Sequence, residues 1–239
     1  MDSVLLDDSQ FWLGSRAAVK IIKVIIVYCV AILAFTSLSF AQTTIDKEHS
    51  RNEVGLVIGA TETPGIGLTR GDNINFNSSL ALGLEYDRRL FGTRTTVSGG
   101  LDFLVSPLDV KASYPPSDVS PQYAYLFLSP HARLEFNSLG TWQPWALFGG
   151  GYADFAPAEP RNGLVNVAGH GHSGTLEFGG GVDTRPLITL SKVPLVGALP
   201  VGTRFEVRDF YSGKPDYGLP AAGSLQHNVS FTGGLVLHF

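Results

Sequence analysis

The sequence predicts an all-β protein, an eight-stranded antiparallel up-and-down transmembrane β-barrel. Three observations predict it. The N-terminus has the form of an export leader. The rest of the chain alternates large apolar residues with small or charged ones, segment after segment. The connections between those segments are short and long by turns. Of 239 residues, 44% are hydrophobic and only 16% charged, yet nothing after residue 41 reaches the roughly 18 consecutive apolar residues of a membrane helix. The apolar residues are therefore dispersed, and 28 Gly with 14 Pro suit strands and turns better than helices.

Arg16, Lys20 and Lys23 precede an apolar stretch from Val24 to Phe40, which closes with Ser39-Phe40-Ala41 before Gln42. Small residues such as Ser39 and Ala41, third and first before the cut, are what signal peptidase accepts. The leader is long and carries Asp2, Asp7 and Asp8 at its front. We expect residues 1–41 to be a cleaved signal peptide, 42–52 a short periplasmic lead-in and 53–239 the barrel domain. Cys29, the single cysteine, lies in the leader, and Val27-Tyr28 before it are not the small residues that precede a lipidated cysteine. Removing the leader takes away three basic and three acidic residues, so the net charge stays at −4. That leaves no basic surplus to attract nucleic acid.

Eight segments then show the period of two that marks strands with unlike faces. The first, Glu53–Thr61, is glycine-rich. In the second, Leu80, Leu82, Leu84 and Tyr86 alternate with Ala81, Gly83, Glu85 and Asp87. The third sets Val97, Leu101, Phe103 and Val105 against Ser98, Gly100 and Asp102. The fourth, Gln122–Phe136, sets Leu128, Ala132, Leu134 and Phe136 against Ser129, His131, Arg133 and Glu135. In the fifth, Trp145, Leu147, Ala153 and Phe155 oppose Ala146, Gly150 and Asp154. The sixth opposes Leu176, Phe178 and Val182 to Glu177, Asp183 and Arg185, and the seventh opposes Phe205 and Val207 to Arg204, Glu206 and Arg208. The last opposes Val229, Phe231, Leu235, Leu237 and Phe239 to Asn228, Ser230, Thr232 and His238.

One face of most segments is purely apolar and the other repeatedly holds unlike charges. A soluble sandwich would alternate too, so the connections decide. The intervals 62–78, 106–121, 156–173 and 211–225 are long and rich in Pro, Gly, Ser, Asn and Asp, whereas 90–93 and 137–141 are tight turns. Short periplasmic turns and long external loops are the asymmetry of an outer-membrane barrel. The stretch 186–200 breaks the rule, being long and apolar where a short turn belongs. Either the sixth and seventh strands extend into it or a periplasmic element sits there. Aromatic residues fall in two groups, as interfacial girdles would: Tyr86, Phe91, Phe136, Trp142, Trp145 and Phe239 near one rim, and Phe103, Tyr123, Tyr125, Phe155, Phe210 and Tyr211 near the other.

The C-terminal run Val229, Phe231, Gly233, Leu235, Leu237, Phe239 alternates up to a terminal phenylalanine. It resembles the recognition strand of small bacterial outer-membrane β-barrels similar to OmpX and to the transmembrane domain of OmpA. The resemblance spans about residues 53–239 and rests on pattern, without a sharp internal motif. It implies that Phe231, Leu235, Leu237 and Phe239 form an assembly signal read by the barrel-assembly machinery. It also implies a bacterial outer-membrane location among lipid and lipopolysaccharide, as a monomer.

The interior of an eight-stranded barrel is only wide enough for side chains, where charges persist if paired. Glu85, Asp102, Arg133, Glu135, Glu177, Asp183, Arg204, Glu206 and Arg208, with His131, Asp154 and Arg185, are therefore expected to form an interior charge network that plugs the lumen. A gated pore lined by them is the sharper alternative. His170 and His172 share a side of an extended segment and offer two metal ligands without a third. His172-Ser173 invites comparison with outer-membrane lipid A deacylases, though the pair is read here in a loop without an assignable acidic partner. The glycine runs 149–151 and 179–181 interrupt strands and have no phosphate-loop lysine, so they are read as structural. The sequence thus nominates no catalytic residue, cofactor or metal. It suggests a non-enzymatic barrel serving envelope integrity or surface contact, with a narrow solute channel and a lipid A hydrolase as alternatives. Mass determination of the exported protein's N-terminus should find Gln42 first; a chain retaining Val24–Phe40 would show that the leader is an uncleaved anchor.

Overall fold

The computed structural model describes residues 51–67, 73–113, 122–136, 140–157, 168–193, 197–218 and 223–239. The leader expected at 1–41 and most of the lead-in fall outside them. The described residues form strands and no helix: β1 (Asn52–Glu62), β2 (Ile66–Gly67), β3 (Asn73–Phe76), β4 (Ser79–Gly92), β5 (Thr95–Ser113), β6 (Gln122–Phe136), β7 (Trp142–Pro157), β8 (Gly171–Thr184), β9 (Ile188–Val193), β10 (Gly197–Gly213), β11 (Leu225–Gln226) and β12 (Val229–His238). Eight of them, β1, β4, β5, β6, β7, β8, β10 and β12, pair antiparallel in chain order. The sheet closes where β12 meets β1, from Glu53↔His238 to Glu62↔Val229. Closure leaves no open edge in the barrel wall, so the wall's ladder groups are paired.

The seam also fixes the two ends. Asn52 and Phe239 exchange backbone hydrogen bonds of 3.0 and 2.9 Å. This turn end holds the tight connections, including Gly92, whose φ of 109° suits the residue closing β4 before the turn to β5. At the opposite, loop end, β5 continues to Ser113, and β2 and β3 form a small hairpin, with β3 also pairing to that extension (Phe76↔Ala112). The anomalous stretch 186–200 lies at the turn end. There β9 pairs with the start of β10 (Ile188↔Val201, Leu190↔Leu199), so the stretch is a hairpin prolonging the wall below the barrel.

Period-two alternation sets what faces in and what faces out. Leu56, Ile58, Phe148, Leu176, Phe205, Val207, Phe231 and Leu235 are exposed on the outer wall. Glu85, Asp102, Arg133, Glu177, Asp183, Arg204 and Arg208 are buried inside it. Toward the loop end the lumen is apolar. Ala81, Leu104, Tyr123, Tyr125, Phe127, Ala153, Phe155, Phe210 and Tyr217 pack as one buried cluster. Phe127 and Phe210 stack there at 4.5 Å between ring centroids.

Two sequence expectations need correction here. Tyr123, Tyr125, Phe155 and Phe210 do not belong to an outer girdle but fill the lumen, where each is at most 2% exposed. Their register explains this: Tyr123, Tyr125 and Phe127 share the odd positions of β6 with His131 and Arg133. The faces of the fifth segment are also reversed. Trp145, Leu147, Ala153 and Phe155 point inward, and Phe148 and Tyr152 point out. Gly181 makes this possible on the neighbouring strand, since a Cβ there would collide with the Trp145 ring. Trp142, Phe91 and Phe136 remain exposed near the turn end, and Tyr152 near the loop end.

Truncating Phe127 to Ala removes the centre of the aromatic plug. We expect the unfolding free energy in detergent to fall by about 3–5 kcal/mol, the usual cost of emptying a buried Phe site. A urea titration followed by tryptophan fluorescence measures it.

Candidate functional site

The lumen is where the chain concentrates its charge. Side chains at alternate positions of all eight wall strands converge there because successive strand residues face opposite sides and the barrel is closed. Near the turn end, Arg204 donates from Nε to Asp183 Oδ1 at 2.9 Å and from Nη2 to Asp183 Oδ2 at 2.7 Å, a two-pronged pair, and also contacts Glu85. Arg133 donates to Asp87 at 3.0 Å and to Glu53 at 3.2 Å, and reaches Glu135 at 3.3 Å and Asp183. Trp145 stands between these arginines. Its Nε1–H donates to Asp183 at 3.0 Å, while the guanidinium carbons of Arg133, Arg204 and Arg208 lie 4.7, 5.2 and 5.7 Å from its ring.

A second layer surrounds Arg208 at mid-barrel. It pairs with Glu85 at 2.6 Å, Glu206 at 2.7 Å and Glu177 at 3.0 Å, and contacts Asp102. Thr232 donates to Glu206 from the paired position on the neighbouring strand β12. Above these layers sits the aromatic plug. Its rim is polar: Thr63 and Gln226 both donate to Asn228 Oδ1, at 3.0 and 2.8 Å, and Tyr217 donates to Gln226. Burial pushes the Tyr217 phenol above its ordinary range, which keeps it a donor.

The nine carboxylates and arginines nominated from the sequence thus lie together in one buried network: Glu85, Asp102, Arg133, Glu135, Glu177, Asp183, Arg204, Glu206 and Arg208. Two residues grouped with them do not. Asp154 faces outward beyond the apolar wall, 3.6 Å from His170, and Arg185 is exposed past the end of β8. Sequence reasoning missed Glu53, Trp145 and His238. Asp87 was legible, sharing the odd register of Glu85. Glu53 opens the glycine-rich first segment, whose faces the sequence leaves unseparated, and His238 falls on the polar face of the last segment without counting among the charges.

On the outer wall, Phe231 and Leu235 are exposed and Leu237 and Phe239 half-buried. His172 and Ser173 lie within β8, not in a loop. Successive strand residues point to opposite faces, and they do so here. His172 is exposed against the Tyr152 ring at 6.3 Å, while the Ser173 hydroxyl is buried on the inner side. They do not form a hydrogen-bonded dyad.

Replacing Arg204 with Ala removes the two-pronged partner of Asp183 and one of the two arginines on Glu85. A loss of about 3–5 kcal/mol in unfolding free energy is expected, as for other broken buried pairs. Adding Asp183→Asn should recover part of that loss. A double-mutant cycle by urea titration checks both, and strict additivity would contradict the pairing.

No family model and no curated protein matches the chain. Among solved structures the chain is similar to the crystal structure of Neisserial surface protein A, with a TM-score of 0.46, 10% identity, and coverage of 79% of this chain and 97% of that one. It is also similar to the outer membrane enzyme PagL, with a TM-score of 0.39, 16% identity and coverage of 77% and 97%. A third is Ail, the attachment invasion locus protein of Yersinia pestis, with a TM-score of 0.39, 13% identity and coverage of 78% and 99%. None of these likenesses bears on the chemistry of the lumen.

Proposed function

We propose that the chain is an outer-membrane barrel with a sealed lumen, non-enzymatic, serving envelope integrity or surface contact through the segments at its loop end. One observation carries this reading: the polarity of the molecule is inverted. Its outer wall presents Leu56, Ile58, Phe148, Phe178, Phe205, Val207 and Phe231, while its arginines and carboxylates are buried and paired inside. In water such a wall would be an aggregation surface, whereas in lipid it is the solvated face. Outward polar residues flank the wall, Arg88 toward the turn end and Glu62 and the His227–Asp209 pair toward the loop end. The apolar wall is therefore a band with polar margins, as a bilayer requires.

In this reading the turn end faces the periplasm and the long connections lie outside among lipopolysaccharide. Phe231, Leu235, Leu237 and Phe239 on the closing strand serve recognition by the barrel-assembly machinery. The chain works as a monomer, because closure of β12 on β1 leaves no barrel strand in need of a partner. The competing reading, a solute channel, is disfavoured by the stacked Phe127 and Phe210 above arginines that are buried against carboxylates. A hydrolytic reading through His172 and Ser173 is disfavoured by their opposite orientations.

Membrane fractionation with unboiled and boiled electrophoresis, followed by planar-bilayer recording, tests the proposal. The expected outcome is an outer-membrane protein whose mobility shifts on boiling and which gives no unitary conductance. A soluble protein without the shift would overturn the location, and stable conductance steps would overturn the sealed lumen.

A further inference from the structure

The charges of the lumen do not balance. Among the described residues its inner wall carries eight carboxylates: Glu53, Glu85, Asp87, Asp102, Glu135, Glu177, Asp183 and Glu206. Against them stand three guanidiniums, Arg133, Arg204 and Arg208, and the imidazoles of His131 and His238. A closed, water-poor interior cannot leave such a surplus uncompensated. Further positive charge has to come from bound protons or from a bound cation.

Several of the buried polar atoms without a hydrogen-bond partner gather at one place. Oδ1 of Asp102, Oε2 of Glu177 and the hydroxyl of Ser129 are buried there without a hydrogen-bond partner, while Asp102 Oδ2 is held by Arg208 and lies 3.0 Å from His131 Nδ1. Asp102, His131 and Glu177 each offer one ligand atom, and these atoms lie within 4.8 Å of one another. Ser129 is fully buried on the same inward face of β6 as His131.

His131 is already oriented for ligation. Its Nε2 lies 2.9 Å from Asp87 Oδ1, while Nδ1 faces Asp102 Oδ2 at 3.0 Å. With the proton on Nε2 and donated to Asp87, Nδ1 is left as a bare lone pair directed at the other two ligands. A carboxylate behind a ligating histidine is the usual outer partner at metal sites, because it fixes the tautomer and raises the basicity of the ring. The ring has its place because β5 carries glycine at 100, where a Cβ would collide with the imidazole.

We propose that the barrel binds one divalent transition-metal ion, of the zinc or manganese type, between Asp102, His131 and Glu177, with Ser129 as a further oxygen ligand. One imidazole nitrogen with two carboxylates suits such an ion, whereas calcium takes six to eight oxygens. Arg208 already holds one oxygen of each acid, contacting Asp102 Oδ2 and lying 3.0 Å from Glu177 Oε1, so the ion would take the other two, Asp102 Oδ1 and Glu177 Oε2. The other buried acid group, Glu53 with Glu135 and Asp183, has no nitrogen ligand, and Arg133 already occupies its centre. The metal site requires only the closed barrel, not its location or its loops.

The test uses the full mature chain refolded into detergent with excess Zn²⁺, then exchanged through chelating buffer and assayed for metal by mass spectrometry. The boiling-dependent gel shift of each sample reports the folded fraction. About one zinc per folded wild-type barrel is expected. Glu177→Gln and His131→Gln should lose at least ten-fold in affinity while keeping the gel shift. Glu206→Gln, which removes a carboxylate from the same lumen but not from the site, should retain the metal. A folded wild-type barrel without zinc would overturn the proposal, leaving His131 as an imidazolium bridging Asp87 and Asp102. Equal zinc in wild type and Glu177→Gln would also overturn it, placing the metal on surface histidines. Loss of the gel shift in the wild type would instead strike at the barrel itself.

Discussion

The barrel depends on the pairing of Arg133, Arg204 and Arg208 with the carboxylates around them. An eight-stranded wall encloses a space that side chains fill, so whatever points inward must be mutually compatible. Arginine suits that space because its planar fork serves several acceptors at once. Arg204 alone engages both oxygens of Asp183 and a carboxylate on a strand across the lumen. Each guanidinium thereby ties together strands that share no backbone hydrogen bond, such as β4 with β10 and β6 with β8. The ladder makes a tube, and the arginines hold its walls at a fixed distance.

The rest of the interior is arranged around this electrostatic layer. Trp145 places an aromatic face among three guanidiniums and its N–H on one of their carboxylates, so it links the charged zone to the wall without spending a charge. Above it the lumen turns apolar, and Phe127, Phe155 and Phe210 exclude water from the ion pairs below. Exclusion matters because ion pairs that lose water partners need one another more. The plug and the network reinforce each other, one by shape and one by charge.

The sequence made most of the strands legible, since period two survives wherever one face is charged. It misled at β7 for a physical reason. There both faces are apolar, so nothing within the strand says which is inside, and the single acid, Asp154, lies beyond the wall. The face is set by the neighbours: Leu147 pairs with Arg133 on one side and Gly179 on the other, both already fixed in register. The aromatics of β6 were legible in the same way, because Tyr123 and Tyr125 fall in step with His131 and Arg133. Composition placed them at a rim, whereas parity places them in the lumen. The meeting of Asp102, His131 and Glu177 could not be read at all, since it joins three strands whose relative stagger only the closed sheet determines.

The seam between β1 and β12 has a kinetic meaning. Glu53 pairs with His238 and Glu62 with Val229, so the first and last strands must meet across nearly the whole length of the chain. Every other wall contact is between neighbours in sequence. That seam is the pairing of largest sequence separation in the wall, the kind of contact that slows folding. Without that seam β1 and β12 would each expose unpaired backbone, leaving an open sheet with two adhesive edges. Pairing β12 with β1 removes both edges at once.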